Sequence, residues 1–338
     1  MKKIIKNKIV SNFSKRIFAG NDAKKEYINP ANHSITPLIE IVDETLNPFK
    51  KDNVRIFAKD LRLPPLDQVK AGTMYQMYSD ANKKTDLSDI ETFYEATSGN
   101  TGSALALFAN QSTVVYVNSS TPNEKIRILQ LFGAQVVVAG NGIELARKNG
   151  SKKTAYNLDQ YDNQSNPLFF EKNIGPQIWE QTDGSITLFC TGLGTTGTII
   201  GINRYLKRKN AKIKTVGVIV KEGDSVPGVR TLKRLEEVSL PWQENVDETY
   251  IAGAQESYEL SLRLIRDTMI MAGPSSGFSL AGLLQELTNV KKKNMLEELR
   301  NDSGEVVAVF PILDGPWLYI NDYFKILGTS FFKDVKKE

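Results

Sequence analysis

A glycine-rich loop at residues 192–197 is the first feature of the sequence that could carry chemistry. Its glycines, Gly192, Gly194 and Gly197, have the spacing G-x-G-x-x-G, follow the apolar run SITLFC and precede the amphipathic stretch TIIGINRYLK. Glycines let the backbone approach an anion, and a helix that begins there offers free N–H groups and the positive end of its dipole. The next apolar run ends close to Glu222, as in dinucleotide-binding turns. The loop therefore predicts a phosphate site, either in an NAD-dependent dehydrogenase or in a protein that binds a different phosphate.

A second polar loop, TSGNTG at 97–102, lies between the apolar run TFYEA and the helical stretch SALALFAN. It combines hydroxyl groups, a side-chain amide and free backbone N–H groups at the start of a predicted helix. Such a helix start binds an anion well, whether a phosphate or a carboxylate. A dinucleotide-binding fold does not need this second loop. An enzyme that holds a phosphorylated cofactor and a carboxylate substrate together does.

Short apolar runs must position the two loops, and they alternate with helical patterns along the chain. Runs that are apolar on both faces are typical of parallel strands that helices cover on both sides. A polar, turn-rich segment at 158–167 separates an earlier set of runs from a later one. The sequence therefore predicts an α/β fold in two lobes, each a mostly parallel sheet flanked by helices. The predicted strands are 54–59, 92–97, 112–117 and 135–140 in the first set, and 185–190, 215–220 and 305–311 in the second.

The composition excludes several kinds of site. The 338 residues include one histidine, His33, and one cysteine, Cys190, so a Cys/His metal cluster or a disulfide within the chain cannot form. The formal charge of +4 is small and dispersed, which argues against a nucleic-acid partner. No apolar run approaches the roughly 18 residues of a membrane span, and the basic stretch 1–20 lacks the apolar segment of a secretory signal. We expect a cytoplasmic protein without a metal, nucleic-acid or membrane partner.

Six segments, in order along the chain, resemble the motifs of one enzyme family. They are ITPLIEI (35–41), VRIFAKDLRLPPLDQVKAG (54–72), EATSGNTG (95–102), QYDNQSNPLFFEKNIGPQIWEQTDG (160–184), GLGTTGT (192–198) and AGPSSG (272–277). Together they are similar to the fold-type II pyridoxal phosphate (PLP) enzymes, in particular the cysteine synthase and cystathionine β-synthase family. The resemblance implies the tryptophan synthase β-like fold and favours a single-phosphate cup at 192–198. The NAD-dependent dehydrogenase becomes a distant alternative.

The resemblance also implies roles for residues of these motifs. Lys70 corresponds to the lysine that binds PLP covalently and then acts as acid and base at the substrate Cα, a role that needs a depressed pKa. Asn100 corresponds to the donor to the cofactor's phenolic oxygen. Ser275 corresponds to the partner of the pyridine nitrogen, and it also has the place of an N-cap for the following helix. The phosphate cup corresponds to Gly194, Thr195, Thr196, Gly197 and Thr198, and the substrate carboxylate is expected at Thr97, Ser98, Gly99, Thr101 and Gln160.

Several positions depart from the usual pattern of the family, among them Phe170, where a histidine is frequent. Ala71 follows the lysine where an aspartate is frequent, and Thr196 replaces the middle glycine of the cup. Thr196 would either donate to the phosphate or strain a turn that favours a positive φ. Arg230 stands where the family usually has a glycine. Aimed at the pocket it would bind a substrate phosphate or carboxylate, and otherwise it is a solvated helical arginine.

The reaction that the resemblance implies is β-replacement on an activated L-serine, O-acetyl- or O-phospho-L-serine, through an aminoacrylate. Sulfide or another small nucleophile then adds at Cβ. Three alternatives stay open: β-elimination, as in serine or threonine dehydratases, replacement with a nucleophile other than sulfide, and a binding or regulatory protein that keeps the cofactor without useful turnover. The resemblance further implies a homodimer. Within each chain it implies a smaller mobile lobe, 48–160, that carries Lys70 and the TSGNTG loop, and a larger cofactor-binding lobe, 1–47 and 161–338.

Overall fold

The computed structural model describes residues 17–97, 99–328 and 331–332, which form two sheets surrounded by helices. The strands of this part of the chain are β1 Leu38–Glu40, β2 Val54–Asp60, β3 Thr92–Ala96, β4 Ser112–Val117, β5 Gln135–Val138, β6 Ala155–Asn157, β7 Leu188–Gly192, β8 Lys214–Val220, β9 Glu248–Ala252 and β10 Val306–Ile312. The larger sheet has six strands in the order β1-β2-β10-β7-β8-β9. The smaller sheet has four in the order β5-β4-β3-β6.

Helices follow most of the strands, as the alternation in the sequence predicts. In the described residues they are α1 Ala23–Ile28, α2 Lys70–Lys84, α3 Asn100–Phe108, α4 Asn123–Leu131, α5 Gly142–Gly150, α6 Ser165–Phe169, α7 Gly175–Gln181, α8 Gly197–Lys209, α9 Leu232–Leu235, α10 Ala254–Thr268, α11 Pro274–Lys292 and α12 Ile320–Leu327. A π-helical turn, Phe170–Ile174, joins α6 to α7.

The central strands of the larger sheet, β7, β8 and β10, are buried on both faces, which explains why they are apolar at nearly every position. All seven residues of β10 are buried. Within β7, Phe189 packs into one apolar cluster together with Ile199 of α8, whereas Leu188 and Cys190 pack into another with Leu280 of α11. Successive side chains of a strand point to opposite faces, so the two clusters lie on opposite sides of the sheet. Neighbouring strands are parallel except for β1, which pairs antiparallel with β2.

The smaller sheet is parallel throughout, and α5 packs against β3 and β4. The predicted α/β class with two mostly parallel sheets is confirmed. The predicted strands correspond to β2, β3, β4, β5, β7, β8 and β10, with β7 displaced by two to three residues toward the C-terminus of the run. Of the three other strands, β1 lies within the ITPLIEI segment of the family resemblance, and β6 and the edge strand β9 were missed.

The lobe boundaries at 48 and 160 stay a prediction. One strand bears on them directly: β2, which the prediction assigned to the smaller lobe, pairs with β1 and β10 inside the six-stranded sheet. Among the described residues, we find no helix with the length and apolar character that crossing a membrane demands.

The fold brings the functional loops to the carboxyl ends of parallel strands. The 97–102 loop follows β3, the glycine-rich loop follows β7, and the segment 313–319 follows β10. The last two loops follow β7 and β10, which are neighbours in the larger sheet, so they meet at its carboxyl edge, where α/β proteins bind their ligands. The 97–102 loop comes from the smaller sheet and reaches this edge through the contact between Asn100 and Asp314. The three loops are therefore the place to look for the site.

Candidate active site

Lys70 is the first residue of α2, the helix that follows β2. The preceding residue is anchored to the larger sheet's edge, because the Val69 N–H donates to the Leu313 carbonyl at 2.8 Å. The Lys70 amine lies 3.3 Å from the Thr195 hydroxyl oxygen in the glycine-rich loop. Burial lowers the pKa of Lys70 to about 8, because the charged ammonium loses its hydration there. The geometry thus presents an amine that is easily made neutral next to a potential phosphate site.

The glycine-rich loop is a tight turn between β7 and α8. A Cβ atom on Gly194 would lie 2.0 Å from the Gly228 carbonyl oxygen, and one on Gly197 would lie 2.2 Å from the Asn166 side-chain oxygen. Both contacts are closer than any side chain allows, so glycine is required at both positions. Thr196 caps α8 with φ of 65°, the left-handed region that the sequence predicted for this position.

The turn carries two threonine hydroxyl groups, of which only one is hydrogen-bonded within the described part of the chain. Thr195 Oγ1 accepts a hydrogen bond from Asn166 Nδ2 at 3.0 Å. The Thr196 hydroxyl is buried and has no hydrogen-bond partner among the residues that the structure describes. A buried donor without an acceptor is costly, and here it sits at the N-terminus of a 13-residue helix. An anionic oxygen in the turn would satisfy it.

The 97–102 loop is tied to the segment that follows β6. Thr101 Oγ1 donates to Gln160 Oε1 at 2.7 Å, and Gln160 Nε2 donates to the Ala96 carbonyl at 2.9 Å. Inside the loop, the Gly99 N–H donates to Thr97 Oγ1 at 3.2 Å. Ser98 lies outside the described residues. The structure therefore groups Thr97, Gly99, Thr101 and Gln160 at the start of α3, as the sequence predicts for an anion site.

Asn100 contacts a carboxylate that the sequence did not single out. Its Nδ2 donates to Asp314 Oδ2 at 2.9 Å, and the Tyr319 hydroxyl donates to the same oxygen at 2.5 Å. Asp314 follows β10 by two residues and is 5% exposed. Its position after a buried parallel strand is a signal that could have identified it, since that is where site residues of α/β folds lie.

Ser275 lies in the first turn of α11 and is buried. The N-cap of this helix is Gly273, so the interpretation of Ser275 as an N-cap was wrong. The helix start is joined to the segment after β10, because the Leu313 N–H donates to Ser276 Oγ at 3.2 Å and the Gly273 N–H donates to the Asp314 carbonyl at 2.8 Å. Ser275 is thus held next to the elements that carry Lys70 and Asn100.

Arg230 is buried and forms an ion pair, which the sequence did not predict. It is 6% exposed, so it is not a solvated arginine. Its guanidinium donates to Glu237 Oε2 at 2.6 Å and to the Arg234 carbonyl at 2.7 Å, and it lies 4.4 Å above the centre of the Tyr161 ring. Tyr161 directly follows Gln160, which places this ion pair beside the candidate site with its charge already matched.

Comparison with known proteins identifies the class of enzyme. The family described as pyridoxal-phosphate dependent enzyme matches residues 32–299. The chain belongs to this family. It is 33% identical over 230 residues to cysteine synthase B of Pseudomonas aeruginosa, and the match covers 65% of this chain and 77% of that protein. It is 31% identical over 314 residues to cysteine synthase of Aquifex aeolicus, and this match covers 88% of this chain and 90% of that protein. The resemblance seen in the sequence is confirmed.

Solved structures agree with this assignment at the level of the fold. Cysteine synthase of Entamoeba histolytica superimposes with a TM-score of 0.75 and 23% identity, over 97% of this chain and 95% of that one. O-ureido-L-serine synthase superimposes with a TM-score of 0.73 and 18% identity, over 93% of this chain and 96% of that one. The chain is therefore a PLP-dependent enzyme of cysteine synthase-like fold, and the dinucleotide alternative for the glycine-rich loop is set aside.

Proposed function

We propose that this enzyme catalyses β-replacement on an O-acylated L-serine. The observation that carries the proposal is the meeting of the Lys70 amine with the glycine-rich cup, 3.3 Å from the Thr195 hydroxyl. A phosphate group would be bound by the backbone of the glycine-rich turn, by the N-terminus of α8 and by the Thr196 hydroxyl, which has no partner among the described residues. The Lys70 amine would react with the aldehyde of the same cofactor. Gly194, Thr195, Thr196, Gly197 and Thr198 would hold the phosphate, while Asn100 and Ser275 would hold the ring.

Bound PLP supplies an electron sink that stabilises negative charge at the substrate Cα. The chain supplies the proton transfer. Lys70, with a pKa of about 8, is close enough to neutral pH to accept the Cα proton and later to return one. Thr97, Gly99, Thr101 and Gln160 would bind the substrate carboxylate at the start of α3, where the helix dipole favours an anion. Holding the carboxylate fixes the Cα–H bond relative to the Lys70 amine.

The leaving group is best explained as an acyl rather than a phosphate group. A second phosphate in the site would need its own cation. Arg230, the cation that the sequence suggested for this role, is already bound by Glu237 and stacked on Tyr161. The guanidinium can donate two hydrogen bonds to an incoming phosphate only if Glu237 is displaced. O-acetyl-L-serine makes no such demand.

Sulfide is the proposed nucleophile, because cysteine synthases are among the relatives that are at least 30% identical. A related replacement with another small nucleophile is the second candidate, and the structural likeness to O-ureido-L-serine synthase favours keeping it in the test. β-elimination to a keto acid is the third outcome.

We further propose a cytoplasmic homodimer, which the family resemblance supports. We also propose that the single cysteine, Cys190, stays reduced and buried.

The purified protein, loaded with PLP, tests the proposal by product analysis. We expect L-cysteine from O-acetyl-L-serine and sulfide, with a kcat/KM at least tenfold above that for O-phospho-L-serine. Keto acid formed equally well without sulfide would identify a β-eliminating enzyme instead. A product that forms only with an amine or hydroxylamine-type nucleophile would identify the second candidate, replacement with a nucleophile other than sulfide. Sedimentation of the same sample measures whether it is a dimer.

A further inference from the structure

Asp314 lies where three cofactor-site elements meet. Its backbone bridges to that of Gln68, two residues before Lys70. Its side chain accepts from Asn100 at the start of α3, and its carbonyl accepts from Gly273 at the start of the helix that carries Ser275. A Cβ atom on Gly273 would lie 2.2 Å from Asp314 Oδ1, so this helix start is pressed against the carboxylate.

The two oxygens of this carboxylate have different surroundings. Oδ2 accepts from Asn100 and from Tyr319. Oδ1 is buried and has no hydrogen-bond partner in the described part of the chain. A buried carboxylate oxygen without a donor loses its hydration and gains nothing in return. Because three of the elements around Asp314 carry Lys70, Asn100 and Ser275, the missing donor is expected from the cofactor itself.

The charged groups around Asp314 do not take the place of such a donor. Burial raises the pKa of Asp314, and the hydrogen bonds from Tyr319 and Asn100 and the charges of Lys125 and Arg62 oppose that rise. Arg62 is held by Asp60 and Asp67, and the Lys125 ammonium lies 4.8 Å above the Tyr319 ring. No described cation forms a direct ion pair with Asp314, so a positive group brought in by a ligand would be stabilised there.

We propose that Asp314 is the acidic partner of the cofactor ring, with Oδ1 accepting a hydrogen bond from the protonated pyridine nitrogen. The sequence had suggested that the neutral Ser275 hydroxyl alone serves this nitrogen. A carboxylate keeps the ring protonated and strengthens its capacity to accept electrons, as acidic partners of this nitrogen do. Ser275 then helps to position the ring and does not affect its charge. This inference rests on the cofactor and is independent of the reaction proposed above.

The test uses the holoenzyme loaded with PLP that is labelled with ¹⁵N in the ring, without substrate. The chemical shift of the ring nitrogen reports its protonation directly. We expect a protonated nitrogen at pH 7.5 in the wild type and an unprotonated nitrogen in Asp314→Asn, which keeps acceptors for Asn100 and Tyr319 but removes the charge. Asp247→Asn, which removes a carboxylate bound by Lys207 outside the site, is the matched control and should behave as the wild type.

A second variant keeps the test decisive if Asp314→Asn does not fold. Tyr319→Phe removes a donor from Oδ2, makes the carboxylate more basic, and should move loss of the nitrogen's proton to higher pH. An unprotonated nitrogen in the wild type would overturn the proposal, as would a protonated one in Asp314→Asn or an unchanged titration in Tyr319→Phe. Failure of the labelled cofactor to bind would instead contradict the PLP assignment, and a protein that binds it but makes no cysteine would contradict only the proposed reaction.

Discussion

The Lys70 amine lies 3.3 Å from the Thr195 hydroxyl, although 125 positions separate the two residues in the chain. Lys70 starts a helix after β2, and Thr195 lies in the turn between β7 and α8. The contact exists because loops at the carboxyl ends of parallel strands converge. It places an amine of lowered pKa at the mouth of an anion-binding turn, which is the arrangement that a phosphorylated aldehyde requires.

The lowered pKa of Lys70 predicts how fast the apoenzyme captures PLP. Only the neutral amine attacks an aldehyde, and burial brings the pKa down from its ordinary 10.5 to about 8. The capture rate should therefore rise between pH 7 and pH 9 with a midpoint near 8 and then level off. Stopped-flow absorbance on the apoenzyme measures this rate. A rate that keeps rising tenfold per unit up to pH 10 would show an amine with an ordinary pKa.

Thr196 predicts a trade between stability and cofactor affinity. Its φ of 65° is unfavourable for a β-branched residue, so Thr196→Gly should stabilise the apoenzyme by about 1 kcal/mol. The same change removes a buried hydroxyl donor, and the dissociation constant for PLP should rise about tenfold, as expected for a hydrogen bond to a charged group. Urea denaturation and PLP titration measure the two effects.

Met269→Gly is the control for Thr196→Gly. Met269 has φ of 59° and is exposed at the end of α10, away from the cup. It should give a similar gain in stability with unchanged PLP affinity. Equal loss of affinity in both variants, or none in Thr196→Gly, would remove Thr196 from the phosphate site.

The ion pair between Arg230 and Glu237 predicts a change of substrate preference. Glu237→Gln removes the charge that holds the guanidinium and makes it available to a substrate phosphate. We expect the ratio of kcat/KM for O-phospho-L-serine to that for O-acetyl-L-serine to rise about tenfold, a change of about 1.4 kcal/mol. Glu171→Gln, which breaks the surface pair with Arg208, should leave the ratio unchanged. A constant ratio in Glu237→Gln would show that Arg230 does not reach the leaving group.

Glu95 predicts a pH dependence of stability. It is fully buried in β3, where burial, and after it the carboxylate of Asp159, raises its pKa from 4.5 to about 8. Between these values the folded state holds a proton that the unfolded state has lost, so the free energy of unfolding falls as the pH rises from about 4.5 to about 8. Glu95→Gln removes this loss and should be more stable than the wild type by about 1–3 kcal/mol at pH 8.

Urea denaturation of both proteins from pH 5 to pH 8 measures the difference. Glu91→Gln, at an exposed position just before β3, should give a difference that does not change over this range. Parallel curves for the wild type and Glu95→Gln would contradict a buried carboxyl that ionises near pH 8.

The sequence predicted the parts of the fold that depend on continuous burial. Strands such as β10 read as uninterrupted apolar runs because helices cover both faces of the sheet. The edge strand β9 was missed because most of its residues are exposed or half-buried, so it has no such run. The start of β7 was placed too early because Ser185 still belongs to the turn after α7, where its N–H donates to the Thr182 carbonyl.

The candidate site was predictable where a motif carries local backbone geometry. The glycines of the 192–197 turn and the positive φ of Thr196 are properties of neighbouring residues and are visible in the sequence. The partners of Arg230 and Asn100 were not, because each depends on which side chains the fold brings together. Asp314 is the clearest case: a single aspartate after a buried run, 214 positions from the amide it binds.

The central claim, a PLP enzyme acting on an activated serine, is tested most directly by the absorbance spectrum of the purified protein. The spectrum is recorded alone, then with O-acetyl-L-serine, and then separately with O-phospho-L-serine. We predict a visible band from lysine-bound PLP that is missing in Lys70→Ala and that shifts on addition of O-acetyl-L-serine. No visible band after incubation with excess PLP would contradict the account, and so would a band that neither Lys70→Ala nor either serine ester changes.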